Sequence, residues 1–216
     1  MTKYNKQDFH NWFKSPVSMQ FTDLGFPIMK PVYEVPEEFS IKPFTRFRRN
    51  EDLSSFLHFY QEDHKFDRVW NAPEKYLEGL RKYPGVFSPD FSLYSDTPLP
   101  LQMWNHYRKQ WCGAYWQSQG LTVIPTIGWA GPDSYSFCFE GIPQNSVVSV
   151  SALGVINNKA AREAFLIGYN RMLEVLNPTL ILFYSGAKFH KTLEGPIQYV
   201  GNTKIVGNTA LKRVKE

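Results

Sequence analysis

Apolar positions recur along this chain in two rhythms, a helical one and an alternating or continuous one, and the two take turns. Leu53, Phe56, Leu57 and Tyr60 stand at i, i+3, i+4 and i+7 behind Asn50, a suitable N-cap, and the acidic Glu51 and Asp52, so a helix is predicted there. A short strand is expected over 66–70, and Pro73 opens a helix to about Lys82. GVFS at 85–88 reads as a strand. Asp96 or Thr97 is placed to cap a long helix with Pro98 near its first turn and Gly120 at its end. Residues 121–127 are β-branched and apolar, like a buried strand, with an irregularity expected at Pro125. Residues 134–140 alternate, Tyr135, Phe137 and Phe139 against Ser136 and Cys138, and predict a strand, as do 147–153. Asn157 or Asn158 starts a helix with a broad apolar face that includes Phe165, Gly168, Met172 and Leu176. Pro178 stops it, and TLILFY at 179–184 is the clearest buried strand.

The flanks have a different texture. Residues 1–45 are punctuated by proline and read as short extended pieces, such as 31–35, wrapping a body formed by 46–186. Residues 187–216 are a C-terminal extension with strand-like pieces at 197–200 and 204–206 and a charged, solvated LKRVKE tail. Alternating helices and short apolar strands predict a single α/β domain with a mostly parallel sheet covered by helices. An incomplete or irregular (β/α) barrel is the first expectation, and an open doubly wound sheet the alternative.

Composition changes this picture little. At 216 residues, 43% hydrophobic and 20% charged, the chain is an ordinary globular length and mixture, but 16% aromatic content is high enough to line a groove as well as a core. The net charge of +4 is a mild pull toward polyanions. Cys112 and Cys138 form no CxxC or Cys/His cluster and read as reduced thiols, so no zinc motif is present. No signal-like apolar segment or membrane-length run occurs, and the expected location is the cytoplasm.

Candidate chemistry follows from the architecture, because parallel α/β sheets place ligands beyond the carboxyl ends of their strands. The residues just after the proposed strands are Asn71, Ser88, Asp90, Trp129, Asp133, Ser151, Tyr184 and Ser185. Asp90, in SPD, is either a catalytic or ligand-anchoring carboxylate or the closing group of an Asx turn. Glu140 is a candidate partner carboxylate. On the long helix Trp104, Tyr107, Arg108, Trp111 and Tyr115 share one face, so Arg108 either stacks on rings or reaches an anionic ligand. Asn105 borders that face, and His106, opposite it, is expected to be exposed. Trp129 and Tyr184 would be ring-stacking walls and Ser151 a hydroxyl in the same pocket. Carboxylates admit a divalent cation as cofactor, and no residue set is assigned to a metal.

The ordered phrases GVFSPDFSLYSDTPLPLQMWNHYRKQWCGAYWQSQGLTVIPTIGW, SFCFEGIP, SVVSVSALG and LILFYSG carry a resemblance across about residues 40–190. They resemble a bacterial and phage family known as domain of unknown function 4417. The resemblance implies a compact protein of phages, plasmids and other mobile elements, and it assigns no activity, cofactor or catalytic residue. Three functions are thus expected in order. The first is an enzyme acting on nucleic acid or nucleotides through a pocket at the strand ends, with Asp90 and Glu140 as catalytic residues. The second is a non-enzymatic binder of nucleic acid or a host protein, and the third a carbohydrate-active hydrolase.

Overall fold

Among the described residues eight short parallel strands arise, because most apolar runs there are buried on both sides. The computed structural model describes residues 10–47, 53–155, 158–185 and 193–201; the predicted pieces at 204–206 and the charged tail lie outside them. Strands β1 (Ser40–Pro43), β2 (Ser55–His58), β3 (Val86–Phe87) and β4 (Val123–Ile124) form one parallel sheet in sequential order. Strands β5 (Thr126–Ile127), β6 (Val147–Ser151), β7 (Leu180–Tyr184) and β8 (Ile197–Val200) form a second, also sequential.

Pro125 lies between β4 and β5 and marks the change of sheet. It has no N–H to give a ladder. The Ser88 side chain takes up the next donor instead: Thr126 N–H bonds to Ser88 Oγ at 2.8 Å, and Thr126 Oγ1 donates to the Ser88 carbonyl at 2.8 Å. The Pro125 carbonyl accepts from Ser149 N–H on β6 at 2.8 Å.

The alternation of each strand shows how the sheets lie. Phe39, Ile41, Phe56, Phe87, Ile124, Val147, Leu180, Leu182 and Val200 form one shared interior cluster. Their neighbours face outward: Leu57, Val86 and Val123 toward α1 (Arg68–Asn71), α2 (Glu74–Leu80) and α3 (Leu99–Ser118), and Val148, Val150, Ile181 and Phe183 toward α4 (Lys159–Leu176). The result is an incomplete barrel; β8 and β1 do not pair among the described residues. Sequential order without a reversal excludes the doubly wound alternative.

Three predicted elements take another form. Residues 53–60 contain strand β2, not a helix: Ser55 to His58 are all buried, and a strand buried on both faces mimics helical spacing over a few residues. The expected strand at 66–70 is a tight turn over 63–65 followed by α1, whose Val69 and Trp70 are buried. Residues 134–140 are not a strand either. Pro132–Ser136 is a 3₁₀ turn held by Ser134 Oγ, which donates to the Gly131 carbonyl and accepts from Ala130 N–H. Phe137, Cys138 and Phe139 are then buried on both sides of the presumed alternation.

The other elements follow their predicted places, with a different cap on α3. Pro98 is its N-cap residue and no side chain caps it; Thr97 Oγ1 is spent on the Tyr94 carbonyl, and Gln102 Nε2 donates to the Thr97 carbonyl. Asn158 caps α4, accepting from Ala161 N–H at 3.0 Å. Among the described residues no helix is long and apolar enough to cross a membrane.

Candidate functional site

The inward columns of the strands change character toward their carboxyl ends. On β2 the sequence runs Phe56, His58, Tyr60; on β6, Val147, Ser149, Ser151; across Pro125, Ile124, Thr126, Gly128; and on β7, Leu180, Leu182, Tyr184. Apolar side chains fill the lower interior and polar ones the mouth. Tyr60 and Ser149 join hydroxyl to hydroxyl across the barrel, and Tyr184 stacks on Tyr60 with ring centres 5.0 Å apart.

Above this layer opens a cleft of about 910 Å³. It is bounded by the segments after β2, β3, β5 and β6 and by the first turns of α4, including Tyr60, Gln61, Asp90, Tyr94, Gly128, Trp129, Ser151 and Phe165. Trp129 leans on Phe165 with ring centres 4.9 Å apart. Its indole packs over Gly168 of α4, where any Cβ would collide with the ring. Glycine is required here by close approach rather than by backbone angle.

Asp90 is the charged centre of the floor. Its carboxylate accepts no backbone hydrogen bond among the described residues, so it does not close an Asx turn. Its Oδ1 lies 3.6 Å from Nζ of Lys109, whose side chain is 1% exposed against 29% for Asp90. Burial pushes the Asp90 carboxyl above its ordinary value; the Lys109 ammonium opposes the rise, and the Asp63 carboxylate adds to it. Tyr60 is held well above the usual phenol range by burial first and by the Asp90 charge second.

Arg108 stands one layer away. Its guanidinium lies 3.9 Å over the Phe91 ring, its Nη1 is 3.4 Å from Asp67 Oδ1, and its Nη2 donates to Asn105 Oδ1 at 2.5 Å. Asn105 Nδ2 in turn donates to the Ser92 carbonyl at 2.7 Å, while Ser92 N–H and Oγ–H both bond to the Asp63 carboxylate. Arg108 and Asn105 thus hold the segment that carries Asp90. Neither is among the residues that line the cleft.

Of the residues singled out in the sequence, Asp90, Trp129 and Ser151 meet on the cleft, and Tyr184 buttresses it through Tyr60. Glu140 does not line it; its backbone carbonyl accepts from His106 Nε2 and Gln110 Nε2, each at 2.9 Å. His106 is wholly buried, contrary to the exposure expected of it, because α3 is covered on both sides: the face opposite the aromatic stripe packs on Phe26 and Phe137, while Trp111 of the stripe is buried as well. Burial depresses its pKa to about 3, and the Lys109 charge adds to the effect. Among the described residues no group of three or more His, Cys, Asp or Glu side chains is placed to hold a metal ion.

The model of the family described as a domain of unknown function (DUF4417) matches residues 8–199. The chain belongs to that family. It is 38% identical over 164 residues to the Gene 1 protein of Mycobacterium phage D29, covering 76% of this chain and 61% of that protein. To the Gene 1 protein of Mycobacterium phage L5 it is 43% identical over 128 residues, 59% of this chain and 56% of that protein. The chain spans about three-fifths of the length of these curated relatives. No solved structure matches it.

Within this DUF4417 domain, sequence reasoning passed over Lys109 and Tyr60. Gln102, His106, Lys109, Gly113 and Trp116 recur at helical spacing and form a buried stripe on α3, which is the signal for Lys109. Tyr60 was hidden by the helical spacing of β2.

Proposed function

We propose that the cleft is an active site for a nucleotide or nucleic-acid strand, with Asp90 as its acid–base group. The observation that carries this reading is a carboxylate open to the cleft, free of turn duties and backed by a wholly buried lysine. Trp129 and Tyr94 offer ring faces for a base, Ser151 a hydroxyl, and the net charge of +4 a mild attraction for phosphate. The cleft volume suits a ligand of nucleotide size. Arg108 and Asn105 serve this site by holding the Asp90 segment rather than by touching the ligand. Free, buried Cys112 and Cys138 accord with work in the reducing cytoplasm.

A carbohydrate-active reading needs two working carboxylates. The other carboxylate on the cleft, Glu62, is ion-paired with Lys65. The second reading is a binder without chemistry, favoured by the exposed Trp12 and Phe13 on the N-terminal segment, away from the cleft.

Thermal melting with magnesium, mononucleotides, single- and double-stranded DNA and sugars tests the proposal. At about hundredfold excess over Kd a nucleotide or single strand should raise the wild-type Tm by roughly 5 °C or more. Asp90→Asn, which keeps an oxygen beside Lys109, should fold and lose most of that shift. No shift with any ligand, or equal shifts in both proteins, overturns it.

A further inference from the structure

Lys109 carries its charge on a side chain that is only 1% exposed. An ammonium has three N–H donors, and burying one without partners is costly. Lys109 Nζ has no hydrogen-bond acceptor among the described residues, and its one counterion is Asp90 at 3.6 Å. Among the described residues one further charge is felt at the pair, the Asp63 carboxylate, and it acts on Asp90. From α3 it faces His106, which is neutral at neutral pH because its pKa lies near 3. From the segment after the 132–136 turn it faces Cys138, whose thiol burial pushes up to about 12. Tyr60, from the end of β2, is a neutral phenol. Asp63 acts on Asp90 from the 63–65 turn, and its carboxylate is occupied by Ser92. On the cleft side the wall beside Nζ is Gly128: a Cβ there would stand 3.2 Å from Nζ and 3.8 Å from Asp90 Oδ1. Bare backbone at this point leaves the pair close to whatever enters.

We infer that Lys109 is a positioning residue that keeps Asp90 a carboxylate, so that the cleft takes a proton from its ligand rather than giving one. This rests on the reading of the cleft as the active site. The charges balance. A ligand O–H or N–H gives its proton to Asp90, and the pair passes from neutral to +1 as the ligand becomes an anion. Lys109 then lacks its counterion, and the new anion replaces it, which stabilises charge where it develops. The proton leaves Asp90 for solvent through the cleft mouth, or returns to the product.

Carbon-13 NMR of aspartate-labelled protein reads this directly, with the Asp90 resonance identified by its absence from Asp90→Asn. In Lys109→Met the Asp90 midpoint should rise by about one to three pH units, the effect of losing a cation at this range. Lys109→Arg should bring it back toward wild type. A midpoint unmoved in Lys109→Met overturns the inference. If that variant does not fold, Lys109→Gln, neutral and of similar length, carries the test: an upward shift supports the inference and an unchanged midpoint overturns it. The melting screen separates the two proposals. A shifted Asp90 with no nucleotide ligand keeps the role of Lys109 and overturns the nucleotide assignment; a nucleotide ligand with an unshifted Asp90 does the reverse.

Discussion

His106 lies between the Phe26 and Phe137 rings, with centres 4.9 and 5.8 Å away, and bonds to the Glu140 carbonyl through Nε2. Its Nδ1 is buried without a hydrogen-bond partner among the described residues. The folded protein therefore refuses a proton that the unfolded chain accepts at about pH 6.5. Between that value and about 3 the unfolded state binds more protons, so stability falls as pH falls, with a slope approaching roughly 1.4 kcal/mol per pH unit. Asp90 works in the opposite sense. Its raised carboxyl keeps a proton that the unfolded chain has released, so its contribution is lost as pH rises above the ordinary carboxylate range. His106→Phe fits the same ring sandwich, and Gln110 still serves the Glu140 carbonyl. Melting curves from pH 7 to 4 should be flatter for this variant than for wild type; parallel curves would contradict the assignment.

At the scale of elements, the junction of the two sheets depends on one side chain. Ser88→Ala removes the acceptor of Thr126 N–H beside Pro125 and leaves a buried donor unpaired. The expected cost is about 1–3 kcal/mol, read as a lower urea midpoint with unchanged slope. A midpoint equal to wild type would mean that another acceptor takes over. Pro125 itself was legible, since a proline inside a β-branched run announces a break. So were α3, α4 and β7, whose lengths and punctuation leave little choice. Strand β2 was not, because Phe56 packs into the interior and Leu57 against the helices, and burial on both faces erases a period of two. Residues 134–140 failed in the converse way: their alternation imitates a strand, but Cys138 is as buried as its phenylalanine neighbours. Asp90 could be found from its place after a strand. Lys109 could not be weighed without knowing which face of α3 turns inward, for Trp111 and Trp116 are both buried, on different sides of that helix.

At the scale of the molecule, a parallel barrel whose β8 and β1 do not pair among the described residues keeps its polar end together. Four inward columns turn from apolar to polar as they approach the cleft, α4 brings Phe165 to it, and α3 brings Lys109 to Asp90 on its floor. Membership of DUF4417 says that this arrangement belongs to a domain found also in phage Gene 1 proteins. In the function proposed above, the ligand enters the cleft and stacks on Trp129. The chain's six tryptophans make this directly visible in a ¹H–¹⁵N spectrum of the indole groups, with Trp129 assigned by Trp129→Phe. On titration with a short single-stranded oligodeoxynucleotide, the Trp129 signal should move in a saturable way while that of the exposed Trp12 stays in place. A moving Trp12 with a silent Trp129 would contradict the account.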